Sequence, residues 1–215
     1  MDAQIFNNMK KQSTAVVDYK MGNIQSLINA LKYIKVVPEF LSDPRKLKNY
    51  SHIILPGVGS AAEAYKRLKE FGFVEYLQES VYERDSKLLG ICVGMQVLGH
   101  STEEDGGSEG LNFVDNKILK LPTNLDQKMK VPHVGFNEVV KSGPSKLLKD
   151  MGDHSDFYFV HSYGMEVLSK DYETGVTNYS NSFVSVIEHK NIFGTQFHPE
   201  KSQTNGLKLL SNFFT

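Results

Sequence analysis

Leu88-Leu89-Gly90-Ile91-Cys92-Val93-Gly94-Met95-Gln96 holds the only cysteine among 215 residues, with a glycine two positions before it and another two after. An apolar run leads into the cysteine, and a helix-compatible segment over 95–98 leads out. A strand that stops, turns sharply and restarts as a helix leaves the turn residue standing above a sheet, where a nucleophile is placed. Side chains at Gly90 or Gly94 would then collide with the neighbouring strand or helix, and the backbone at Cys92 would be strained. The first N–H groups of the helix would face the sulfur and favour its anionic form. A small buried cysteine in a glycine-rich turn has the same spacing, so the motif needs partners elsewhere in the chain.

Working outward, residues 14–19 read as a first buried strand, 24–34 as a helix with Ile24, Leu27, Ile28, Leu31 and Ile34 on one face, and 36–41 as a second strand. A helical turn begins at 42–44. A third strand over 52–55 is cut off by Pro56-Gly57-Val58-Gly59-Ser60, and helices follow over 61–69 and 73–84. The elbow strand is the fourth. This alternation predicts an α/β fold with a mostly parallel central sheet and helices on both faces. After Gly99 the pattern changes. Residues 101–110 are acidic and glycine-rich and read as a loop, and strand-like pieces follow at 117–121, 130–140, 157–163, 175–179, 183–189 and 192–197. Without helices between them, these read as antiparallel strands added in the C-terminal half. A helix over 205–214 closes a single domain spanning 14–215. Residues 1–13 read as a short frayed tail, with Met9 an equally plausible natural start.

Hydrophobic residues make up 40% of the chain and charged residues 23%, which are globular values, and the formal charge is −1. No electrostatic reason points to nucleic acid or an anionic membrane, and no apolar run approaches the ~18 residues a membrane span needs. A single cysteine precludes an internal disulfide, the N-terminus has no secretory pattern, and a cytoplasmic location is expected. Seven histidines fall into no zinc-like spacing, so neither metal nor cofactor is expected.

A thiol working by acyl transfer needs a base, a group that orients the base, and donors for the oxyanion. His198-Pro199-Glu200 offers the first two: extended geometry across Pro199 would send both side chains to one face, although a surface turn would carry the same residues. The Val93 N–H is the natural oxyanion donor. Gly57, Val58 and Gly59 follow the third strand, and two glycines would let a peptide rotate its N–H toward substrate, although that loop alone reads as a tight turn.

Taken together, Gly90 to Gln96 with a distal His198-Pro199-Glu200 resembles the class I (triad-type) glutamine amidotransferases, whose domain is flavodoxin-like. Val17-Asp18-Tyr19 with Met21-Gly22-Asn23, Leu55 to Ser60, Val131 to Asn137, Phe157 to Tyr163 and Gln196 to Gln203 recur in the order seen in the HisH family, the glutaminase subunits of imidazole glycerol phosphate synthase. The resemblance covers about Thr14 to the C-terminus. It implies that Cys92 attacks the side-chain amide of glutamine, that His198 shuttles the proton and that Glu200 orients the imidazole. It further implies that Gln96, Glu104 and the backbone of His161-Ser162-Tyr163 bind the substrate. The implied partner is a (βα)8-barrel cyclase subunit forming a heterodimer and receiving ammonia in histidine biosynthesis, with Met21, Gly22, Asn23, Phe136 and Lys201 as docking positions. Lys20 and Phe136 stand where the family often has glycine and tryptophan. Some family members feed ammonia instead to a sugar-amidating partner in surface-polysaccharide biosynthesis, which is the alternative. Two further readings, a peptidase with the same elbow and an inert interaction subunit, fit the combined residues less well.

Overall fold

The structure, a computed structural model, describes residues 13–22, 24–123 and 130–215. Residues 1–12 of the tail expected over 1–13, and the docking position Asn23, lie outside the described residues. In chain order the elements are β1 (Thr14–Val17), α1 (Ile24–Tyr33), β2 (Glu39–Leu41), a 3-10 turn (Pro44–Asn49), β3 (His52–Gly57), α2 (Ala61–Glu70), α3 (Phe73–Tyr82), β4 (Lys87–Cys92) and α4 (Val93–Gln96). The C-terminal half holds β5 (Ser101–Thr102), β6 (Ser108–Glu109), β7 (Lys117–Lys120), β8 (His133–Lys141), β9 (His154–His161), β10 (Tyr163–Met165), β11 (Glu173–Tyr179), β12 (Asn181–His189), β13 (Ile192–Thr195) and α5 (Gln203–Phe213).

β1, β3 and β13 are buried along their whole lengths. Strands with no exposed residue require cover on both faces, and the helices supply it. α1 turns Leu27, Ala30 and Leu31 into the core. α2 starts at Ser60, whose hydroxyl accepts from the Glu63 N–H, and Glu63 in turn accepts from Arg67 one turn later at 2.8 Å. The parallel core runs β2-β1-β3-β4-β13. Its register sets Gly57 opposite Cys92 and Ile91 opposite Thr195. The carboxyl ends of β3, β4 and β13 therefore share one edge, the edge at which open α/β sheets bind ligands.

Two expectations change. The segment at 192–197 is not simply an added antiparallel strand: β13 pairs parallel with β4 and antiparallel with β12, so it completes the parallel core while closing a hairpin. A hairpin turn at Lys190, in the left-handed region at φ 57°, made the local pattern look purely antiparallel. The loop expected at 101–110 contains β5 and β6, paired with each other around a 3-10 turn at Glu104–Gly106, and β5 also pairs with β7. Strands of two residues leave no periodicity to detect.

At the elbow, Cys92 sits at φ 54°, ψ −110°, a backbone region that costs on the order of 1–3 kcal/mol for a side-chain-bearing residue. The glycines around it are steric necessities. A Cβ on Gly94 would lie 1.8 Å from the Leu55 carbonyl oxygen, and one on Gly90 would lie 2.5 Å from the Gly94 oxygen. Overpacking of this kind against rigid backbone costs roughly 3 kcal/mol or more. Gly94→Ala is expected to lower Tm by about 6–12 °C, from about 2–4 °C per kcal/mol for a chain of this size, whereas Gly143→Ala, with nothing near its Cβ position, leaves Tm within a degree or two. Thermal melts of the two variants check this.

Candidate active site

The sheet edge brings Cys92, His198 and Glu200 together. Cys92 ends β4 and is nearly buried. His198 follows β13 in extended conformation, and its Nδ1 lies 2.7 Å from Glu200 Oε1. The two side chains are only 3% and 6% exposed. The contact is not made by extended geometry through Pro199, as the spacing suggested. Pro199–Lys201 is a 3-10 turn with proline at its first position, and it folds Glu200 back onto the imidazole. Ser202 locks that turn: its hydroxyl donates to the His198 carbonyl at 2.6 Å and accepts from the Tyr158 N–H at 2.9 Å.

Burial alone would lower the His198 pKa, but its interactions with Cys92 and with Glu200 outweigh burial and push it up to about 10. Nε2 nevertheless lacks an aligned hydrogen-bond partner at rest, a looseness common before substrate is seated. The arrangement favours an imidazolium between a sulfur and a carboxylate, the electrostatic state of an activated cysteine nucleophile.

A cavity of about 380 Å³ opens on Cys92. Its walls include Val58, Gly59, Val93, Gln96, Glu104, His161, Ser162, Tyr163 and His198, nine of the residues singled out from sequence. Gly57 stands behind it, lining a small separate hole with His198 and Glu200. There the Tyr19 hydroxyl donates to the Pro56 carbonyl at 2.8 Å, and Gly57 leaves room for that hydroxyl. Gly59 adopts φ +98°, open to glycine and strained for other residues.

The remaining polar groups of the cavity wall are constrained. Gln96 Nε2 donates to the Tyr163 carbonyl at 2.7 Å and to Gln196 Oε1 at 3.1 Å. Its Oε1 has no protein donor among the described residues, which leaves it to accept from a ligand. Glu104 Oε2 accepts from the Ala61 N–H at the start of α2, and burial holds its carboxyl above the usual range. His161 Nε2 lies 3.0 Å from His133 Nδ1, and burial lowers the two rings to about 3 and about 4 respectively, so both are neutral.

Of the docking positions, Phe136 is half exposed and meets Tyr158 edge-on at 5.6 Å, and Lys201 lies over the same tyrosine ring at 5.8 Å. Met21 and Gly22 line a different hollow with Asp18 and Pro56. Sequence reasoning missed Pro132 and Val160, which complete the cavity wall, and Gln196 and His133, which brace it. Gln196 and His133 lay inside quoted motifs, but no spacing rule distinguishes a bracing side chain from a packed one. Among the described residues no group of three or more His, Cys, Asp or Glu is arranged to hold a metal, and no helix is long and apolar enough to cross a membrane.

Because the folded pKa of His198 is raised, its ring keeps the proton well above the ordinary value of 6.5 and gives it up only as pH rises through about 10. Nitrogen-15 NMR of the ring is expected to show imidazolium in the wild type at pH 8 and, in Glu200→Gln, loss of the ring proton at a lower pH than in the wild type, since the glutamine removes the carboxylate that acts with Cys92 to hold it. A neutral wild-type ring at pH 8 would overturn this electrostatic account.

A family model for class-I glutamine amidotransferases matches residues 15–215. The chain is 40% identical over 199 residues to "Imidazole glycerol phosphate synthase subunit HisH 1" of Campylobacter jejuni, covering 93% of this chain and 98% of the relative. It is 41% identical to the HisH subunit of Chlorobium chlorochromatii, covering 92% and 97%. Among solved structures, PurLQS from Thermotoga maritima aligns at TM-score 0.70 and 17% identity over 94% of this chain and 97% of that one. A further glutamine amidotransferase aligns at 0.70 and 16%, over 93% and 96%. These last two speak for the fold alone. The family match and the sequence relatives place the chain in the class-I glutamine amidotransferases, within the HisH subunits.

Proposed function

We propose that this chain is the glutaminase subunit of an imidazole glycerol phosphate synthase, working in the cytoplasm with a (βα)8-barrel cyclase subunit. The observation that carries the chemistry is the Cys92–His198–Glu200 line opening on one cavity that also presents Gln96 and Glu104. Cys92 sulfur adds to the side-chain amide carbon of glutamine, and the oxyanion is met by the Val93 N–H and by the loop of Gly57, Val58 and Gly59. His198 delivers its proton to the amide nitrogen as the C–N bond breaks, which frees ammonia and leaves a glutamyl thioester. Water, deprotonated by the now neutral His198, attacks the thioester carbon. Glutamate leaves, and the thiolate–imidazolium pair is restored. Glu200 holds the ring so that one nitrogen serves both steps.

Free ammonia in water would be protonated and diluted, so a synthase that uses it gains from a receiving subunit close to the cavity. The outward side of the β8–β9 pair suits one. Val134 faces out opposite Val160, and Phe136 opposite Tyr158; Val134 and Phe136 are 56% and 51% exposed, and Val160 also lines the cavity. An apolar group at the rim of a reactive site is how a partner surface presents itself. Lys20 adopts φ 65° and is held by its own contacts to Asp18, including an ion pair at 2.7 Å. It is not among the residues lining the cavity at Cys92.

Glutamate release from glutamine is expected to be slow for the isolated chain. It should rise by two or more orders of magnitude with a histidine-pathway barrel subunit and its nucleotide, and vanish in Cys92→Ala. No stimulation, with Cys92 still labelled by a glutamine analogue, would keep the chemistry and reject the pathway.

A further inference from the structure

Gln196 follows β13 directly, is fully buried, and has no part in the chemistry derived so far. The orientation of its amide is dictated by a carbonyl some distance away. Tyr163 O is a backbone acceptor, so the group facing it at 2.7 Å must be the nitrogen of the Gln96 amide and not the oxygen. The second hydrogen of that nitrogen points at Gln196 at 3.1 Å, so the atom it meets must be Oε1. With Oε1 turned to Gln96, Gln196 Nε2 is turned the other way, toward Cys92 Sγ at 3.9 Å. That separation is at the long end for an N–H facing sulfur, so the contact in the resting site is a weak one.

The other side of the same carbonyl is equally determined. His161 Nδ1 lies 2.8 Å from Tyr163 O and must be its protonated nitrogen, so His161 Nε2 accepts. His133 Nδ1, 3.0 Å away, must then donate, and His133 Nε2 accepts from Asn137 Nδ2 at 3.3 Å. One carbonyl thus sets the polarity of five side chains, and the arm that ends at the nucleophile ends in a donor.

Building on the reading of Cys92 as nucleophile, we propose that Gln196 is a further catalytic residue: its amide N–H, oriented by the Tyr163–Gln96 relay, supports the Cys92 thiolate, while its carbonyl holds the Gln96 amide with Oε1 toward the substrate. Gln196 so couples thiol activation to glutamine recognition, and the two halves of its amide are separable. Gln196→Glu keeps an acceptor for Gln96 but loses the N–H facing sulfur. Gln196→Leu loses both.

The test is the rate of Cys92 alkylation by iodoacetamide from pH 5 to 10, read by whole-protein mass, since the chain has one cysteine. KM for glutamine in the partner-bound enzyme is measured alongside. Both variants are expected to slow alkylation at neutral pH roughly three- to tenfold and to move its midpoint upward, as removing one donor from beside the sulfur predicts. KM should stay within about twofold of wild type in Gln196→Glu and rise about tenfold in Gln196→Leu. A folded variant with unchanged melting temperature and an unchanged alkylation profile would overturn the proposal. Should neither variant fold, Gln96→Leu removes the amide that orients Gln196 while leaving Gln196 in place. Slower alkylation there supports the relay, and an unchanged rate overturns it. Wild-type Cys92 that resists alkylation at every pH would overturn the nucleophile reading itself, a distinct failure.

Discussion

The close approach of Gly94 to the Leu55 carbonyl is the constraint on which the rest depends. With 1.8 Å available where a Cβ would stand, only glycine lets α4 begin directly over β3, so the chain must turn at Cys92 rather than beyond it. Parallel pairing does the remainder. Gly57 stands opposite Cys92, and Ile91 opposite Thr195, so the loop after Gly57, the turn at Cys92 and the segment bearing Gln196 and His198 leave the sheet side by side. None of these groups is near another in sequence. They meet because consecutive parallel strands end at one edge, and the strained backbone at Cys92 is sustained by the packing around it.

Electrostatics around the sulfur divide into a charged side and a neutral side. On one, His198 holds a proton between Cys92 and Glu200 against the penalty of burial. On the other, His161 and His133 are kept neutral by burial, as their single-direction hydrogen-bond chain demands. Both arrangements follow from one rule: a buried ring is charged only where an opposite charge compensates its lost solvation. Three histidines within one neighbourhood thereby take different roles without any change of residue type.

Much of this was legible in the sequence, and for identifiable reasons. The elbow was readable because sterics force glycine at two fixed offsets from Cys92. The parallel core was readable because fully buried strands such as His52–Gly57 are continuous apolar runs. Of the cavity residues, Val93 and the loop of Val58 and Gly59 were readable from the elbow and the glycine spacing, whereas Gln96, Glu104 and His161 to Tyr163 came from the family resemblance. What stayed hidden was relational. The double pairing of β13 depends on which strand lies beside it, the two-residue strands β5 and β6 are shorter than any repeat, and Glu200 reaches His198 by a 3-10 turn where an extended strand was expected. The role of Gln196 carried no local signal, because a side-chain amide's direction is set here by a partner 100 positions away.

The central claim is that Cys92, His198 and Glu200 act as one acyl-transfer unit on glutamine. Its most direct test is capture of Cys92 by a glutamine-mimicking electrophile in the partner-bound enzyme, with the site read by peptide mass. The account predicts one adduct per chain, on Cys92, that free glutamine competes away and that His198→Asn slows by orders of magnitude. Labelling that ignores glutamine, or that proceeds at full rate without His198, would contradict it.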